Sequence, residues 1–323
     1  MRRFRRWLAL GLGLLCLAYF GSQVWTHRGE LAALPWGSDV VLALSFAVAI
    51  QLGVALFDAW CWGYLLRALD VPAESRAAVA VCAVSQFGKY LPGNVGQHVG
   101  RVALARERGF QTGRVVLSLL LENGFAVLSG ALIAVGGGML LAVGGTWDVQ
   151  RATLLLTVLA GGWFFGAWLL KRLLARPPAL LRRWLALHEP VRLDIRALLV
   201  YFASHFVSYV GMGVVFAALV RSITGAWPLH AWTLPIAITV SFLAGYLVPG
   251  APGGFGPREA ALTSILGPTL GASVTISAAL LWRLSMLLTD LATLGVGVAL
   301  RRAEAARARG RAEAEGATTG ERS

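Results

Sequence analysis

Apolar residues along this chain fall in long unbroken runs, without the two-residue or three-to-four-residue rhythm of half-buried strands and helices. The runs 7–25, 39–66, 115–143, 152–170, 197–220 and 272–300 are each long enough to cross a bilayer, which takes about 20 residues as a helix. The first follows Arg2, Arg3, Arg5 and Arg6, and no small-x-small cleavage site comes after it. It is read as a signal anchor with its N-terminus inside, against the alternative of a cleaved signal peptide. Six crossings place both termini on one side.

Two apolar pieces are left, 77–91 and 231–248, and both run into Pro-Gly. Charge decides whether they cross. If neither does, the inside holds Arg67, Arg76, Arg101, Arg106, Arg108, Arg114, the basic residues of 171–196 and the tail from Arg301 to Arg311. The outside then holds only Arg28, Arg151, Arg221 and Arg258. That bias is what the positive-inside rule demands. A crossing by 77–91 would flip the 171–196 loop outside; a crossing by 231–248 alone would flip the tail. Both pieces are therefore expected to be re-entrant: a helix enters, breaks at Pro-Gly and returns. The predicted fold class is an all-α integral membrane protein of about six transmembrane helices and two re-entrant helical hairpins. One membrane domain covers 1–300, its hairpins near 77–108 and 231–267, and a basic, largely disordered cytoplasmic tail covers 301–323.

Composition agrees. The chain is 57% hydrophobic and 14% charged, where a soluble domain carries about a quarter charged residues. The net charge of +13 comes from residues flanking apolar runs, so anionic lipid, and not nucleic acid, explains it. Cys16, Cys61 and Cys82 all lie in apolar stretches without ligand spacing and read as small core residues. Gly130 and Gly136-Gly137-Gly138 permit close helix packing, or a break of the 115–143 run into two segments.

The two breaks match each other. The first reads Lys89-Tyr90-Leu91-Pro92-Gly93-Asn94-Val95-Gly96-Gln97-His98-Val99-Gly100-Arg101. The second reads Tyr246-Leu247-Val248-Pro249-Gly250-Ala251-Pro252-Gly253-Gly254-Phe255-Gly256-Pro257-Arg258-Glu259. Both contain Tyr-Leu, then Pro-Gly-x-x-Gly, and an Arg nine residues after the Pro. Three crossings lie between the copies, so the first opens from inside and the second from outside. Inverted repeats with broken helices near the midplane are a recurrent transporter architecture. A Pro-Gly that merely ends a helix is the plainer reading of either break alone; the inverted match makes the pair a candidate site.

The chemistry follows from the backbone. Gly93, Gly96, Gly250 and Gly253 allow unusual dihedrals and close ligand approach, and exposed backbone at membrane depth must line protein or a wet cavity. Helices restarting near Asn94 and at Pro257 aim free N–H groups at the loops, which favours anions and phosphate above all. Arg101 and Arg258 add full charge and bidentate geometry, and Lys89 and His98 make the inner loop more cationic. Inside the runs lie Asp58, Glu122, Arg283 and Asp290. Asp58 and Asp290 are placed toward the inner ends, in reach of water. Glu122 and Arg283 each follow a loop Arg on the next crossing, and either pair with one another or hold a substrate charge or coupling proton.

At these residues the chain resembles the lysylphosphatidylglycerol synthase transmembrane-region family, over roughly 7–300. The resemblance implies a membrane bundle with two re-entrant loops that moves lipids or lipid-linked molecules between leaflets. Stand-alone members are associated with surface-glycan and polyprenyl-lipid pathways. Carried over by motif, the implied functional positions are Lys89, Pro92, Gly93, Asn94, Arg101, Pro249, Gly250, Gly253, Arg258 and Glu259, with Glu122 and Arg283 on the following helices. The full synthases add a soluble aminoacyl-transferase domain after the membrane part. Here residues 301–323 are rich in Ala, Arg, Glu and Gly, and lysyl-lipid synthesis is not expected.

The favoured expectation is a lipid or lipid-linked-precursor flippase whose anionic headgroup sits between the loops. No Walker-type Gly-Lys-Ser/Thr occurs, so coupling would be to a gradient, with Glu122 as proton carrier, or to downstream consumption. No cofactor, metal or catalytic residue is assigned. A membrane transferase is the alternative, weakened by the lack of any Asp-x-Asp and by His188-Glu189 lacking a second His at zinc spacing. A non-transporting subunit of a surface-glycan assembly is a third reading, with little use for paired loop arginines. Expected partners are a membrane or polyprenyl-linked lipid, and a second copy or glycan-pathway enzymes, in a bacterial inner membrane with both termini cytoplasmic.

Overall fold

The computed structural model describes residues 36–90, 96–142, 194–228, 233–247 and 257–320, with scattered residues between 25 and 29 and between 154 and 172. Among the described residues all regular structure is helical. In chain order these are α1 (Ser38–Ala68), α2 (Ser75–Ser85) with a 3-10 turn Gln86–Tyr90, α3 (Gly96–Glu107) and α4 (Thr112–Ala142), then α5 (Ile195–Thr224), α6 (Thr233–Leu247), α7 (Pro257–Leu270) and α8 (Ala272–Gly320).

Four helices are long and apolar enough to cross a membrane, over Ser38–Ala68, Thr112–Gly138, Arg196–Thr224 and Ala272–Arg307. They coincide with four of the six expected runs. Run 7–25 apart from Trp25 lies outside the described residues, as does much of 152–170. The described residues of the latter are helical, and Gly162 and Gly166 lie against Leu132 and Leu128 of α4. Local chemistry sets the ends. Asp194 caps α5 by accepting from the Arg196 N–H (3.0 Å), and Gly225 closes it in the left-handed conformation. Gly271, also left-handed, is the one-residue joint between α7 and α8.

The open question in 115–143 is resolved as one continuous helix. Its glycines serve packing: a Cβ at Gly137 would lie 2.5 Å from Ile236 of α6. At the other end of the chain, α8 continues to Gly320 where a frayed tail was expected from 301. The segment is rich in Ala, Arg and Glu, the strongest helix formers, and elongates a helix already nucleated in the bundle.

The core has two halves. One packs the end of α1 (Trp62, Leu65, Leu66) with α2, the start of α4 (Leu117, Leu121) and the start of α5 (Leu198, Phe202). The other packs the start of α1 (Val40, Ala47) with the end of α5 (Phe216, Leu219), α6, α7 and the start of α8 (Ala278, Trp282). Thus α1 and α5 run antiparallel through both halves, and each short helix pair belongs to one.

The α2–α3 pair is a hairpin that starts and ends at the same end of the bundle. Arg108, just past α3, donates to the Ala77 carbonyl near the start of α2 (2.6 Å). At its tip a Cβ on Gly88 would lie 2.6 Å from the Gly96 backbone. The α6–α7 pair is the inverse: Leu234 and Leu266 both sit in the other half-core, while Tyr246 reaches back to Asn123 of α4. The two short helix pairs thus pack into opposite half-cores and run in opposite senses along the bundle.

The end from which α2–α3 departs is ionic. Arg114 holds Asp70 (3.0 Å) and the Leu69 carbonyl (2.6 Å), Arg108 meets Glu304 (2.5 Å), and Arg301 stands 3.7 Å from Glu107. Residues assigned to one side by the charge rule meet at one end of the fold.

Candidate functional site

Between the two half-cores lies a cavity of about 250 Å³, walled by α1, α4, α5, α8 and both hairpin tips. Of the sequence-assigned residues, Lys89, His98, Glu122, Arg258 and Arg283 line it. Arg101 and Glu259 are not on its wall; they reach it through partners. Gly96 opens α3 at the first tip, as Pro257 opens α7 at the second. Pro92, Gly93, Asn94, Pro249, Gly250 and Gly253 lie outside the described residues.

Glu122 and Arg283 do not pair with each other. Arg101 of α3 donates to Glu122 of α4, and Arg283 of α8 donates through Nε to Glu259 of α7 (2.6 Å). Each hairpin's returning helix is thus ion-paired to the span that follows it, with the polarity reversed between halves. The reason is local: a hairpin and the next helix are joined by a short turn, so their facing side chains meet before those of the distant half can. Arg101 is also packed over the Trp62 ring at 5.1 Å.

Asp58 and Asp290, expected toward the inner ends and in water, both line the cavity. The apolar run was a poor ruler of depth, because α1 continues to Ala68, about 15 Å beyond Asp58 at 1.5 Å per residue, and α8 continues well beyond Asp290. Asp290 is 7% exposed, with Lys89 Nζ at 2.8 Å and the Tyr90 hydroxyl donating to it. Tyr246, at the corresponding point of the second hairpin, donates to Asn123. Each tip is therefore held by a span from the opposite half. These contacts were missed at the sequence level; the signal available was the Tyr-Leu shared by both breaks, which was read as evidence of repetition only.

Where the first hairpin has Lys89 before its tyrosine, the second has Gly245 before Tyr246. The space is taken by Arg258: a Cβ on Gly245 would lie 2.6 Å from Arg258 Nε. Arg258 is 6% exposed, its guanidinium lies 4.7 Å above the Phe242 ring, and its backbone carbonyl accepts from Ser241 Oγ (2.9 Å). Its Nε has no hydrogen-bond partner, nor does His98 Nδ1 across the cavity. Among the described residues no carboxylate comes within ion-pair distance of Arg258.

The charge balance of the cavity is then simple. Lys89 neutralises Asp290, Arg101 neutralises Glu122, and Glu259 neutralises Arg283. Arg258 and Asp58 remain. A buried guanidinium with a spare Nε donor, beside the first turn of a helix, has the chemistry to accept an anion.

The family described as Lysylphosphatidylglycerol synthase TM region matches residues 6–293. No curated protein and no solved structure matches the chain. With nearly the whole bundle inside the matched segment, the chain belongs to the lysylphosphatidylglycerol synthase TM-region family.

Proposed function

We propose that the protein is a flippase or transporter of a lipid or lipid-linked precursor, binding an anionic phosphate headgroup in the cavity between the hairpin tips. The observation that carries this is Arg258: a buried guanidinium, without a carboxylate partner among the described residues, facing a cavity between the two helix pairs. An unpaired charge at membrane depth is costly and is retained where a ligand completes it. His98 and the starts of α3 and α7 supply further donors, while acyl or prenyl chains stay in the bilayer. The two hairpins enter the membrane from opposite sides, and the ionic end with Arg108, Arg114 and Arg301 faces the cytoplasm of a bacterial inner membrane, following the positive-inside rule.

The test is mass spectrometry of lipids retained by the detergent-purified protein, beside Arg258→Gln and Arg101→Ala. A phosphate-bearing lipid enriched on the wild type and lost from Arg258→Gln supports the reading and names the molecule to assay for flipping. Equal lipid profiles on wild type and Arg258→Gln, with both folded, overturn it and favour a scaffold in a glycan-assembly complex.

A further inference from the structure

The transport reading uses the cavity's unpaired cation and leaves its unpaired anion without a role. Asp58 projects from the middle of α1 onto the cavity wall. Ser208 of α5 donates to it, its Oγ lying 3.1 and 2.9 Å from the two carboxylate oxygens, and the Ser204 hydroxyl of the same helix is a second nearby group. Ser208 Oγ also lies 2.9 Å from the Ser204 carbonyl.

That geometry sets a donor count. Ser208 has one hydroxyl hydrogen, and it faces three acceptor oxygens: two on Asp58 and one on Ser204. With Asp58 ionised, that one hydrogen serves either a carboxylate oxygen or the Ser204 carbonyl, which already receives the helical N–H of Ser208, so at least one carboxylate oxygen is left without a donor from Ser208. With one proton on Asp58 the chain closes: the Asp58 O–H donates to Ser208 Oγ, and Ser208 donates to the Ser204 carbonyl.

The surrounding charges point the same way. On α4, Glu122 is neutralised by Arg101 of α3. On α8, Arg283 and Asp290 are each ion-paired, the latter to Lys89 of the first hairpin's tip. On α5, His205 spends Nδ1 on the Tyr201 carbonyl (3.0 Å), and Tyr209 donates to the Ala126 carbonyl (2.9 Å). His98 of α3 faces the same cavity, Cys61 is on α1 itself, and Cys82 is buried on α2. None of the basic groups among them comes within ion-pair distance of Asp58. Asp58 therefore faces the cavity without a counter-ion among the described residues.

We propose that Asp58 is a proton-carrying site at membrane depth, and that its loading is coupled to occupancy of the anion site at Arg258. This rests on the transport reading and moves the carrier role from Glu122, which has Arg101, to Asp58. The step is an O–H bond formed with a proton taken from water on one side and broken by release to water on the other; nothing is oxidised or reduced. The coupling is electrostatic. A bound phosphate adds negative charge to the cavity and favours the proton on Asp58, and by reciprocity the proton favours the phosphate.

Two measurements test it. The first is infrared titration of the protein in lipid nanodiscs, which reads the protonated carboxyl band directly. The band is expected at neutral pH in wild type, in Glu122→Gln and in Asp58→Glu, and is lost in Asp58→Asn. No such band in the wild type, or one that survives in a folded Asp58→Asn protein, overturns the proton site. The second titrates dihexanoyl phosphatidic acid into weakly buffered protein with a pH-indicator dye. Wild type takes up protons on binding, Asp58→Asn binds without uptake, and Arg258→Gln does neither. Binding to wild type without uptake overturns the coupling. Failure of wild type to bind the probe counts against the headgroup reading, while the infrared arm decides the proton site by itself.

Discussion

Arg101 and Arg258 occupy the same position in two matched segments and end in different electrical states. Both have an aromatic face and an unpartnered Nε, but Arg101 is ion-paired to Glu122, whereas Arg258 has no carboxylate within ion-pair distance among the described residues. Their substitutions should therefore differ in kind. Arg101→Ala strands Glu122, and breaking a buried pair costs about 3–5 kcal/mol. Thermal unfolding in detergent should show a large loss of stability, much of it restored when Glu122→Gln is added. Arg258→Gln should leave the unfolding temperature near that of the wild type and remove the retained lipid. An equal loss of stability in both would mean that Arg258 is structural. The sequence match at these arginines was legible because local backbone chemistry repeats. Their partners were not, because they sit on other helices.

At the scale of the element, residues of both short helix pairs line the cavity. Tyr246→Phe removes the donor to Asn123 and should cost about 1 kcal/mol, read as a small drop in thermal stability. Gly245 gives a sharper test. An added Cβ would collide with Arg258 Cγ and lie 2.6 Å from its Nε, so Gly245→Ala should displace the guanidinium. The expected result is loss of lipid retention with near-normal expression, copying Arg258→Gln from a residue that bears no charge. Unchanged lipid retention in Gly245→Ala would place the anion elsewhere. Both short helix pairs were legible as apolar pieces running into Pro-Gly, expected to be re-entrant. The exchange of tyrosines between halves was not, since the residues they reach, Asn123 and Asp290, belong to spans far away in sequence.

For the whole molecule, polarity along the bundle axis is the main prediction. The ionic end gathers Arg67, Arg108, Arg114 and Arg301 from four separated segments, while the turn after α5 lies at the opposite end. In a Cys61→Ala/Cys82→Ala/Cys16→Ala background, a cysteine introduced by Ala303→Cys should react with an impermeant maleimide only in inside-out vesicles. One introduced by Ala226→Cys should react only in intact cells. Labelling of both from one side would overturn the crossing count of α8 relative to α5.

The amino-acid sequence by itself determined the all-α membrane class, four of the long apolar spans and the two places where apolar pieces form shorter helices. Each of these depends on residues close together in the chain: run length against bilayer thickness, and proline and glycine against helix continuity. The tertiary structure alone decided which charges are neutral partners and which are left over. Glu122 and Arg283 could pair with each other on spacing, and Asp58 and Asp290 could face water. Packing instead matched Arg101 to Glu122, Glu259 to Arg283 and Lys89 to Asp290. Side-chain charges interact across a few ångströms of space, and no periodicity along the chain records which helix faces come within that distance.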